Sequence, residues 1–129
     1  MSYAIEEKWG EAALAGFTQV PDLLFRLQGA LGITSTELVV LLNLCTAWWK
    51  ADRLPFPSSA SIARRMCVQP RTVQGAIAGL VKKNIVTKGR INGVGGVRYQ
   101  YDLSPLRARL EQEAKKDPRV IVAKEARNA

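Results

Sequence analysis

The most restrictive feature of the sequence is an almost uninterrupted apolar run from Leu38 to Trp49. Thr34 and Glu37 precede it in the spacing T-x-x-E, which predicts a capping box and therefore the start of a helix. A helix that is apolar on most of its sides has to be buried. The run is also shorter than the roughly 18 residues needed to cross a bilayer. We therefore predict a central core helix in a protein that does not span a membrane.

The length of 129 residues and a hydrophobic content of 47% fit one folded domain with a real core. The first ten residues include Glu6 and Glu7 and lack the basic and apolar segments of a secretory signal. We therefore expect a cytoplasmic location and no membrane partner.

The residues that would carry catalytic or metal chemistry are scarce. The chain contains no histidine, which excludes His-dependent triads and His-containing zinc sites. Cys45 lies in the apolar run and Cys67 precedes Val68, so both are interpreted as small buried side chains. Glu6, Glu7 and Glu11 are typical of a solvated helix face. We expect no metal, no cofactor and no enzymatic activity.

Positive charge is concentrated in one part of the chain. The net charge is +8, and residues 58–103 hold eight basic residues and one acidic residue, whereas residues 1–57 hold four and six. Such polarity favours a polyanionic partner, above all nucleic acid. A basic face that serves only solubility is the alternative interpretation.

The basic segment also has a recognisable order of elements. Ser58 or Ser59 can cap a short helix, which a tight turn at Cys67 and Val68 ends. A second helix is predicted from Pro70 to Lys83, with Pro70 in its first turn. Residues 85–91 and 97–103 are β-prone and flank a glycine-rich loop, which predicts a hairpin. The predicted fold class is mainly α with a small β-hairpin, in the order of a winged helix-turn-helix.

The stretch from Pro55 to Val86, which contains S-S-A-S-I-A-R-R-M-C-V-Q-P-R-T-V-Q-G-A-I-A-G-L-V-K-K, resembles the winged helix-turn-helix family of bacterial, phage and plasmid regulators and replication initiators. The leading segment L-G-I-T-S-T-E-L-V-V-L-L-N-L is similar to the first helix of that family, so the resemblance covers residues 29–103. Two residues depart from the family pattern, namely Cys67, where glycine is usual, and Gly75, where a basic residue is frequent.

The resemblance implies a double-stranded DNA partner and two kinds of contact with it, one to the bases and one to the backbone. Base edges or nearby phosphates would be approached by Gln69, Arg71, Thr72 and Gln74, because arginine pairs with guanine and glutamine with adenine. Seven basic residues would contact phosphates, which position the protein without reading sequence, and Ser59 is a further DNA-binding residue. Those seven are Arg64, Arg65, Lys82, Lys83, Lys88, Arg90 and Arg98.

Outside this region we predict an N-terminal helical extension at residues 1–28, a C-terminal helix at residues 104–118 and a flexible tail at residues 119–129. The leading functional hypothesis is a transcriptional regulator that binds specific double-stranded DNA. A replication initiator or a plasmid or phage maintenance protein is one alternative, and a protein-interaction module is another. A homodimer is a further expectation, because many operators are palindromic.

Overall fold

The computed structural model of the protein describes residues 2–48, 57–93 and 96–128. Trp49, at the end of the predicted apolar run, and Val94 and Gly95, in the predicted hairpin loop, lie outside the described residues. Within them the chain forms seven α-helices, one 3-10 helix and one two-stranded antiparallel sheet. The elements are α1 (Ser2–Trp9), the 3-10 helix (Gly10–Ala15), α2 (Asp22–Leu27), α3 (Ser35–Thr46), α4 (Ser59–Met66), α5 (Pro70–Lys82), β1 (Thr87–Gly93), β2 (Gly96–Asp102), α6 (Ser104–Ala114) and α7 (Pro118–Asn128).

The predicted core helix is α3, and its capping box is present. The Thr34 hydroxyl accepts a hydrogen bond from the Glu37 backbone N–H at 3.1 Å, and Glu37 Oε1 accepts one from the Thr34 N–H at 2.9 Å. One side of α3 is fully buried against α5. The buried residues on the two helices are Val40, Leu41 and Leu44 on α3 and Val73, Ile77 and Leu80 on α5. This contact fixes the position of α5 in the molecule.

The short helix α4 is joined to α5 by a tight turn. Ser58 is the N-cap of α4, since its hydroxyl accepts a hydrogen bond from the Ser61 N–H at 3.1 Å. At the other end of α4, Cys67 has a φ of 56°, and the Val68 N–H reaches back to the Ala63 carbonyl at 3.1 Å. This is a Schellman motif, which requires a left-handed residue just after the helix. Cys67 is exposed, so the prediction that it is buried is wrong.

The end of α5 is built in the same way. Asn84 has a φ of 58°, and the Ile85 N–H donates to the Leu80 carbonyl at 2.9 Å. Ile85 and Val86 are buried and lead directly into the hairpin. The strands pair with Arg90 opposite Tyr99 and Lys88 opposite Tyr101. The hairpin is anchored in the core at its base by the buried residues Tyr101 and Leu103.

The terminal elements differ from the predictions in two places. Residues 17–20, inside the predicted N-terminal helical extension, form neither helix nor strand, and most of the predicted flexible tail lies in helix α7. Asp117 Oδ1 accepts a hydrogen bond from the Arg119 N–H at 2.8 Å, so Asp117 and Pro118 begin a helix where the sequence analysis took them as an end. No residue of α7 is buried among those described. None of the described helices is long and apolar enough to span a membrane.

Candidate nucleic-acid interface

The exposed side of α5 presents polar residues near the start of the helix. Arg71, Thr72 and Gln74 lie in the first two turns and are exposed, whereas Val73 and Ile77 face the core. None of the three polar side chains has a hydrogen-bond partner among the described residues. Gln69 is the N-cap residue, but its side chain makes no capping hydrogen bond. The start of α5 therefore offers donors and acceptors to a partner molecule.

Helix α4 contributes two exposed arginines with different local partners. Arg64 Nη2 lies 3.3 Å from the hydroxyl of Ser61 on the same helix. Arg65 Nη1 lies 3.3 Å from Asn43 Oδ1 and 3.4 Å from Thr46 Oγ1, so its guanidinium bridges α4 and α3. Both contacts are long and solvent-exposed, and both arginines retain donors that can reach an external anion.

Three of the predicted site residues meet in one groove between α4, α5 and β2. Ser59, Gln74 and Arg98 line this groove, which has a volume of about 500 Å³. Its other lining residues are Pro57, Ser58, Ala60, Val97, Tyr99 and Tyr101. Burial raises the pKa of the Tyr101 phenol above its usual value, although the neighbouring Ser59 hydroxyl opposes the shift.

The hairpin places cations beside an aromatic ring. Because residues opposite each other share a face of the sheet, Lys88, Arg90, Tyr99 and Tyr101 lie on one face. Lys88 Nζ lies 4.0 Å from the centroid of the Tyr99 ring. The sequence analysis did not include Tyr99 among the site residues. Its period-two spacing from the buried Tyr101 was the available signal that it lies on the same face.

Two predicted phosphate contacts lie elsewhere. Lys82 is the last residue of α5, about 16 Å along the helix axis from Arg71. Lys83 forms an ion pair with the buried carboxylate of Glu37. Burial alone would raise the pKa of Glu37, but the hydrogen bond from Lys83 and those from Thr34 outweigh it, so the pKa is lowered. Lys83 is therefore engaged by Glu37, and its contact with a phosphate stays a prediction.

No three His, Cys, Asp or Glu side chains lie close enough to hold a metal ion in the part of the chain that the structure describes. Cys45 is half-buried, and burial raises the pKa of its thiol to about 11. A thiol with so high a pKa is a poor nucleophile at neutral pH.

Comparison with known proteins identifies the family. The model of the DnaD N-terminal domain family matches residues 20–120 of this chain. The chain belongs to the DnaD N-terminal domain family. This match spans α2 to the beginning of α7 and includes every predicted site residue.

Solved structures extend this result. The N-terminal domain of DnaD protein from Geobacillus kaustophilus HTA426 is similar over 94% of this chain and 96% of that chain, with 25% identity and a TM-score of 0.60. A possible transcriptional regulator from Methanosarcina mazei Go1 covers 82% of this chain and 79% of its own, with 19% identity and a TM-score of 0.49. No curated protein matches. The mainly helical class with a small antiparallel sheet is thus confirmed for this DnaD-family domain.

Proposed function

We propose that this protein binds double-stranded DNA and acts in DNA replication, with α4, α5 and the hairpin working as a winged helix-turn-helix. The observation that carries the proposal is the exposed face on which the start of α5 lies beside the basic hairpin. Arg71, Thr72 and Gln74 are unpartnered there among the described residues. No enzymatic step or cofactor is part of this proposal.

The geometry of B-DNA suits this face. An α-helix fits the major groove, and a basic hairpin beside it can reach the flanking backbone. In this arrangement Arg71 pairs with guanine, and Gln69 or Gln74 pairs with adenine. Arg64, Arg65, Arg90 and Arg98 contact phosphates and set the register of the protein on the duplex.

The family favours replication over transcription as the setting. DnaD-family membership supports the replication role that the sequence analysis held as an alternative, so we place it ahead of the transcriptional regulator. The archaeal structure described as a possible regulator is too dissimilar to support the transcriptional interpretation.

The decisive experiment compares labelled duplexes by fluorescence anisotropy. Wild-type protein is titrated with a duplex from repeated sites near a replication origin of its own replicon, a duplex from its own promoter region and a scrambled duplex. We expect the origin duplex to bind most tightly. Arg71→Ala should weaken that binding by about tenfold, since a bidentate base contact contributes roughly 1 to 3 kcal/mol.

Arg107→Ala is the matched control, because it removes the same charge from an exposed ion pair with Glu111 on α6. It should leave the affinity almost unchanged. Equal binding of wild type and Arg71→Ala would refute the recognition role of α5. Tighter binding of the promoter duplex would favour the transcriptional regulator over the replication protein. Weak binding of all duplexes with little dependence on salt would favour a protein-interaction module.

A further inference from the structure

An aromatic ring lies in the groove between the hairpin and α5, and recognition of an intact duplex does not require such a ring. Tyr99 is 41% exposed and lines the groove next to the buried Tyr101. In an intact duplex every base has its faces covered by its neighbours in the stack. An exposed ring in a DNA-binding groove therefore suits a base that has left the stack, because any base can stack on an aromatic face.

The ring is held in place by a cation. Lys88 Nζ lies 4.0 Å from the ring centroid, and such a contact restrains both side chains. Lys88 lies on the same face of the hairpin as Tyr99, so its ammonium covers part of that ring. The part of the ring that stays exposed in the groove is available to a bound base.

The other walls supply groups for the rest of a nucleotide. Gln74 carries an amide that can donate and accept, so the edge of a base can be hydrogen-bonded there. Arg98 lines the groove, and Arg90 lies opposite Tyr99 on the hairpin. No carboxylate lines the groove among the described residues, so its electrostatic character favours a phosphate-bearing ligand over an acidic one.

We propose that this groove binds one unpaired DNA nucleotide, with its base stacked on Tyr99, its edge within reach of Gln74 and its phosphates near Arg90 and Arg98. This inference rests on the proposed DNA-binding function and deepens it. The site recognises DNA that is bulged, melted or single-stranded. A protein that acts in replication encounters such DNA whenever a duplex is opened.

The test uses two duplexes of identical length, one fully paired and one with a single bulged 2-aminopurine. We expect the bulged duplex to bind more tightly and the 2-aminopurine fluorescence to fall as the base stacks on the ring. Tyr99→Leu should weaken binding of the bulged duplex by about 5- to 100-fold and abolish the fluorescence change, whereas Tyr99→Phe should retain both because it keeps the ring.

Val122→Ala is the control, since Val122 is an exposed apolar residue on α7 that does not line the groove. It should behave as wild type. Circular dichroism of each variant checks that the fold is retained. Equal affinity of wild type for the two duplexes, or an undiminished preference in Tyr99→Leu, would overturn the nucleotide site.

The same titrations separate this inference from the proposed function. Arg71-dependent binding of the paired duplex without preference for the bulge refutes the nucleotide site alone. Binding of the bulged duplex that depends on Tyr99, with no binding of the paired duplex, supports the nucleotide site and refutes duplex recognition. Failure to bind either duplex refutes both.

Discussion

At the scale of single residues, the pair formed by Glu37 and Lys83 links helix capping to core packing. The Glu37 carboxylate accepts hydrogen bonds from the Thr34 N–H and from Lys83, and Glu37 is the buried charged residue of the described core. Glu37→Gln keeps the hydrogen bond to Thr34 but leaves the Lys83 ammonium without its counter-charge. We expect a loss of about 1 to 3 kcal/mol in the free energy of unfolding at pH 7.

The pH dependence of that loss has a definite sign. The pKa of Glu37 is lowered below its ordinary value of 4.5 in the folded protein, so the unfolded chain binds a proton more readily. The stability contributed by the carboxylate is therefore complete above about pH 5 and disappears as the pH falls through the folded pKa. Urea unfolding followed by circular dichroism should show the gap between wild type and Glu37→Gln closing at acidic pH.

Glu111→Gln provides the comparison, because Glu111 forms an exposed i,i+4 ion pair with Arg107. Exposed pairs of this kind contribute about 0.5 kcal/mol or less. A Glu111→Gln variant as unstable as Glu37→Gln, or a gap at Glu37 that does not change with pH, would contradict our account of the buried pair.

At the scale of elements, the packing of α3 on α5 depends on a glycine. A Cβ built at Gly79 would overlap with Glu37 Oε2, whereas a Cβ at Gly75 has open space around it. Both glycines lie within α5, where alanine is intrinsically better than glycine by about 1 kcal/mol. We predict that Gly75→Ala stabilises the protein by about 0.5 to 1 kcal/mol, and that Gly79→Ala destabilises it by about 1 kcal/mol because the carboxylate must move away from Lys83.

Thermal unfolding of the two variants measures this difference directly. They have the same chemical change in the same helix, so propensity cancels and only the contact with Glu37 differs. If Gly79→Ala were as stable as Gly75→Ala, the carboxylate would have room to rotate away without loss, and the close approach of α3 and α5 would not require glycine.

Much of the element order could be predicted because its signals are local. The T-x-x-E box at Thr34, the serine before α4 and Pro70 at the start of α5 each act within one helical turn. The pair Asp117 and Pro118 was misjudged because the same residues that end one helix also cap the next. The exposure of Cys67 was missed because its left-handed conformation follows from hydrogen bonds across the end of α4 rather than from hydrophobicity.

At the scale of the whole molecule, the concentration of positive charge in residues 58–103 indicates a candidate surface but does not fix the role of each residue. Contacts distant in sequence decide those roles. Lys83 pairs with Glu37, 46 positions away, and Arg65 reaches Asn43 on α3, 22 positions away. No local sequence pattern predicts such pairs. The groove near Tyr99 likewise exists only after the hairpin has folded back beside α4 and α5.

The assembled surface makes a quantitative prediction about salt. If the four exposed arginines at positions 64, 65, 90 and 98 contact the duplex backbone, about four phosphates are neutralised. The logarithm of the association constant should then fall against the logarithm of salt concentration with a slope of about −4, from roughly −0.9 per phosphate. Anisotropy titrations over a series of KCl concentrations measure this slope.

Variants show how much each part of the surface contributes to the slope of the salt dependence. The double change Arg90→Ala and Arg98→Ala should reduce its magnitude by about 2, whereas Gln74→Ala should lower affinity for the preferred sequence without changing the slope. Arg107→Ala and Lys124→Ala, on α6 and α7, remove as much charge as the double change and should leave the slope as in wild type. If the two double variants reduced the magnitude of the slope equally, net charge would control binding, and this surface would have no special role.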